Sequence, residues 1–149
     1  MANKAGEMMR YYKGVESNLY NYKAMQAEIK NIDLELKELE NEYVGCGSIS
    51  YEEKAAPTNK FNSSVENEVI NKNSTPEELK RKKHKLEIQL EKVDNALETL
   101  SEDEMYLVEL RYFKKLQFKV IAERIDRNEM YCVCLKSKII KKLIPLIYV

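Results

Sequence analysis

Two of the three cysteines, Cys132 and Cys134, sit one residue apart in "NEMYCVC", a spacing that invites a metal or redox reading. On a helix the two lie about 200° apart around the axis. They point to nearly opposite sides and cannot share a metal or form a disulfide with each other. An odd number of cysteines fits free thiols in a reducing, cytoplasmic compartment, where buried cysteine serves as a small apolar residue. The lone His84 follows "RKK" and has no metal partner at helical spacing, so it reads as solvated. No glycine-rich phosphate loop, plausible triad or metal-ligand cluster is present. The expectation is a protein without cofactor, and not an enzyme.

Charge is the more informative chemistry. The 149 residues carry 25 cations and 25 acids, yet the balance is uneven along the chain. From Arg111 to Leu143 the cations are Arg111, Lys114, Lys115, Lys119, Arg124, Arg127, Lys136, Lys138, Lys141 and Lys142, against only Glu123, Asp126 and Glu129. Such a local excess suits polyanion binding. A second basic run, "KRKKHK" from Lys80 to Lys85, has Glu77, Glu78, Glu87 and Glu91 within helical reach, which favours an ordinary solvated face. Tyr11, Tyr12, Tyr20 and Tyr22 could stack on bases, but beside an apolar seam they read as packing residues.

The elements that must position these groups are helical. Glycine and proline are scarce and 34% of residues are charged, which predicts an all-α chain. Val15, Leu19, Tyr22, Met25, Ile29, Ile32, Leu36, Leu39 and Tyr43 recur in steps of three and four, the seam of one long helix. Gly45 and Gly47 end it. Residues 44–74 read as a loop, with a short helix possible at "SSVENEVI". A second long helix opens at "TPEE", where Thr75 and Glu78 can form a capping box around Pro76. Leu79, Leu86, Leu90, Val93, Leu97 and Leu100 form its seam. The two helices can pair as a hairpin within one chain or as a coiled coil between copies. At Ser101 a second capping box, "SEDE", starts a separate unit with Leu107, Val108, Leu110, Tyr112 and Phe113 on its apolar face. The "KK" after Phe113 makes a turn, Gln117–Ile125 reads as a short helix, and Asn128 caps a last helix that Pro145 stops near Leu143. The domain expectation is residues 1–100 as a helical oligomerisation region and 101–149 as a separate domain. No apolar stretch approaches a membrane span and no signal peptide is visible.

Ile121, Ala122, Ile125, Asp126, Cys132 and Leu135 match the helix-turn-helix pattern of wedge residues around a small residue and a left-handed turn. The segment "LSEDEMYLVELRYFKKLQFKVIAERIDRNEMYCVCLKSKIIKKL" resembles region 4 of bacterial sigma factors, and more closely the sigma-like phage regulators of the ArpU and RinA type. The shared features are "LS" followed by acids, "LRYF", "IAERI", an N-cap with "EMY", and the closing "KKL". The turn carries Asp126 where the family usually has glycine.

The resemblance covers about the last forty-five residues and implies a C-terminal helix-turn-helix in a phage or prophage transcriptional regulator. Its partners would be double-stranded DNA, a second copy of the chain forming a dimer through the long helices, and RNA polymerase. Placed on the family pattern, the groove-facing residues are Asn128, Glu129, Met130, Val133, Cys134 and Ser137. Lys119, Arg127, Lys136, Lys138 and Lys141 would neutralise phosphates. Arg111 is open between a structural role, pairing with Glu123, and contact with DNA. Two other readings stay in view: a phage small terminase subunit, and a helical interaction module whose helix-turn-helix no longer binds DNA.

Overall fold

The computed structural model describes residues 3–45 and 74–148. Cys46, Gly47, Pro57 and the "SSVENEVI" segment lie outside the described residues. Among the described residues six α-helices follow in order: α1 Lys4–Tyr20, α2 Tyr22–Gly45, α3 Pro76–Leu97, α4 Glu102–Val108, α5 Phe118–Ile125 and α6 Glu129–Ile147. A π-helical turn, Glu109–Phe113, continues α4. The described residues contain no strand, and the chain is all-α.

The helix starts follow from local capping. Thr75 Oγ1 accepts from the Glu78 N–H at 3.3 Å, and the Glu78 carboxylate accepts from the Thr75 N–H at 3.2 Å. Ser101 and Glu104 make the same reciprocal pair at 3.3 and 3.1 Å. Each box satisfies two donors that a helix N-terminus otherwise leaves unpaired.

Two helix boundaries differ from the periodicity. The long helix expected over 15–43 begins already at Lys4 and is broken at Asn21. There the backbone turns to φ −93° and ψ 1°, and the side-chain amide donates to Ser17 Oγ at 3.3 Å. The seam nevertheless crosses the break, because the Met25 N–H still donates to the Asn21 carbonyl at 2.8 Å. The second difference is Pro145, which does not end α6. Its ring removes one N–H, but Ile144 and Ile147 are buried and the Tyr148 N–H closes the last turn on the Ile144 carbonyl at 2.9 Å. Apolar burial of that turn, at roughly 1.5–3 kcal/mol per large side chain, offsets the lost bond.

The chain packs as two compact units, Met1–Glu28 with Leu86–Val149, and Ile29–Lys85. In the first unit, Val15 and Leu19 of α1 and Val93, Ala96 and Leu97 of α3 share one core with Leu107, Leu110, Tyr112, Ile121, Cys132, Ile140 and Leu143. In the second unit the remaining part of α2 runs antiparallel to the start of α3, with Asp33 and Lys83 paired at 2.6 Å and Leu36, Leu39 and Val44 lining a recess with Pro76. The long helices therefore form a hairpin within one chain.

Candidate nucleic-acid interface

The turn between α5 and α6 is built from three residues. Asp126 adopts the left-handed conformation, φ 55° and ψ 49°, which its short polar side chain tolerates better than most. That reversal lets the Arg127 N–H close back on the Ala122 carbonyl at 3.0 Å. Asn128 then caps α6, its Oδ1 accepting from the Tyr131 N–H at 2.7 Å. Ile121, Ala122 and Cys132 are buried where the two helices meet, and Ile125 and Leu135 pack against the same core. Burial pushes the Cys132 thiol up from its ordinary pKa, so it is an inert packing group. Cys134 is exposed.

Most of the expected contact residues share one exposed surface. At about 100° per residue, Met130, Cys134, Ser137 and Lys141 stand one above another along α6, with Val133 and Lys138 on either flank. Met130 is 69% exposed and Val133 39%; Cys134, Lys138 and Lys141 are exposed and Ser137 is half-buried. Asn128, Glu129, Arg127 and Lys119 are exposed beside the turn and on α5. The Arg127 guanidinium lies 5.1 Å over the Tyr131 ring, which holds it at the start of α6.

Lys136 departs from the expected phosphate contact. Its side chain is only 19% exposed, and Nζ lies 3.0 Å from Oε1 of Glu16 on α1. The ammonium also sits 5.5 Å over the Tyr12 ring and 5.8 Å over Phe118. Burial works against the charged form, but the hydrogen bond and charge of Glu16 outweigh it and the Lys136 pKa is raised. The same Glu16 oxygen accepts from Tyr112 Oη at 2.9 Å. No sequence signal marked Glu16, because its partners lie 96 and 120 positions away and a lone glutamate on a charged helix looks solvated.

Arg111 is structural. Its guanidinium lies 4.2 Å over Phe118 and Nη1 donates to the Leu116 carbonyl at 3.1 Å. Both contacts tie the π-helical turn to the start of α5.

No family model, curated protein or solved structure matches the chain.

The other sequence candidates fall elsewhere. Tyr11, Tyr20 and Tyr22 pack their rings on Tyr148, Tyr112 and Phe113, the packing role expected of them. His84 and most of the "KRKKHK" run are exposed on α3, with Lys83 held by Asp33. Among the described residues, no group of three or more His, Cys, Asp or Glu is placed to hold a metal. No described helix is long and apolar enough to cross a membrane.

Proposed function

We propose that the chain is a DNA-binding transcriptional regulator of the sigma-region-4-like kind, phage or prophage encoded, in which α5 and α6 act as a helix-turn-helix. The observation that carries this reading is the left-handed Asp126 turn feeding a helix whose exposed stripe contains Lys141 and is bordered by Lys119, Arg127 and Lys138. In this reading α6 enters the major groove, the four cations neutralise phosphates, and Asn128, Glu129 and Ser137 meet base edges. Met130 and Val133 touch thymine methyl groups. The exposed stripe offers no arginine or glutamine for bidentate base contacts, so affinity rests mainly on the phosphate term and is strongly salt-dependent. A homodimer would present two such heads to neighbouring half-sites.

The test is titration of the full chain against duplex DNA over a range of salt concentrations. Affinity is expected to fall as salt rises, and Arg127→Ala or Lys138→Met should each reduce the salt slope by about 1. Absence of binding at low salt, or indifference to both substitutions, overturns the proposal. The large exposure of Met130, together with Tyr131 at 43% and Val133, favours one second reading, a protein-docking helix; a stripe that binds protein would show no salt-dependent DNA titration.

A further inference from the structure

We infer that Glu16 is a positioning residue for α6: by holding Tyr112 and Lys136 on one carboxylate oxygen, it sets the rotation of the helix and so the direction of its exposed stripe. This rests on the DNA-binding reading for its functional consequence, though not for its structural one.

The argument begins with the buried face of α6. Cys132, Ile139, Ile140 and Leu143 are all buried, and Lys136 stands among them at helical spacing. A lysine in an apolar seam costs desolvation unless it finds a charge, and Glu16 supplies it from α1 at 3.0 Å. The seam itself specifies register loosely, since leucine, isoleucine and valine tolerate repacking. A directional pair is more selective. Glu16 Oε1 must satisfy Tyr112 from the π-helical turn at 2.9 Å as well as Lys136, so α1, the turn and α6 are fixed by one atom. Two residues further along α1, the buried Asn18 accepts from Gln89 Nε2 of α3, giving α1 a second polar anchor beside Val15 and Leu19. Because Lys136 lies on the side of α6 away from Met130, Cys134 and Lys141, holding it at Glu16 turns the other side outward.

Two substitutions in the full chain test this. Glu16→Gln keeps an acceptor for Tyr112 and removes the charge; Lys136→Met keeps the stem between Tyr12 and Phe118 and removes the ammonium. Each is expected to weaken binding to duplex DNA by roughly five- to twentyfold, and the double variant by no more than either alone, as for residues acting as one unit. Lys136→Met should leave the salt slope unchanged, whereas Lys138→Met lowers it. Hydrogen exchange of the α6 amides should accelerate in both single variants while helix content by circular dichroism is retained. A reduced salt slope in Lys136→Met would make that lysine a phosphate contact and overturn the inference, as would unchanged exchange in Glu16→Gln. If the unaltered chain binds no DNA, the functional reading fails and the exchange measurement alone decides the positioning role.

Discussion

Glu104 shows how much one side chain can tie together. Its carboxylate closes the capping box on the Ser101 N–H and also accepts from Lys142 Nζ of α6 at 3.2 Å, with the glutamate side chain 14% exposed. Burial acts to raise its pKa, but the bonds from Ser101 and the Lys142 charge outweigh burial and hold it below the ordinary value of 4.5. A carboxylate whose folded pKa is depressed adds stability that is present above its unfolded pKa and lost as pH falls through the folded one. Glu104→Ala is therefore expected to cost about 1 kcal/mol at neutral pH, the usual size of a lost cap. The gap between variant and unaltered chain should narrow as pH falls below 4.5. Urea titrations at pH 7 and pH 3.5 measure both; an equal gap at the two values would show that charge plays no part.

The elements that were legible in the sequence are those whose chemistry closes within four residues. Thr75 with Glu78, Ser101 with Glu104, and Asn128 each mark a helix start from side-chain donors and acceptors alone. Asp126 as a left-handed turn residue was readable for the same reason. The π-helical register after Val108 and the continuation of α6 through Pro145 were not, because each depends on which face the core covers; the break at Asn21 has no glycine or proline to mark it. The Glu16 partner of Lys136 has no mark in the sequence, because a helical lysine is ordinarily solvated and only the fold brings Glu16 to it. At this scale Asp126 also makes a quantitative prediction. A non-glycine residue at φ 55° carries strain that glycine lacks, partly offset by the greater chain entropy of glycine when unfolded. Asp126→Gly should stabilise by up to about 1 kcal/mol, and Asp126→Val should destabilise by about 1–2 kcal/mol. Thermal melts of the two variants check the order; a valine variant as stable as the glycine one would mean that the turn can be made without the left-handed residue.

At the scale of the molecule, the capping box at Ser101 starts a helix without starting an independent core. Leu107, Leu110, Tyr112, Ile140 and Leu143 are covered in part by Val15 and Leu19 from α1 and by Val93 and Leu97 from α3, and the Glu16 carboxylate is the partner of Tyr112. Residues 101–149 alone would expose those faces, at roughly 1.5–3 kcal/mol for each large side chain returned to water. A piece of about fifty residues has little margin to absorb that loss. The fragment 101–149 is thus expected to keep partial helicity while losing cooperative unfolding and fixed tertiary packing, whereas the full chain keeps both. Circular dichroism in the far and near ultraviolet, followed through a thermal ramp, distinguishes the cases. A sharp cooperative transition in the fragment would mean that the last three helices need no cover, and that α1 and α3 are attachments to an independent head rather than part of it.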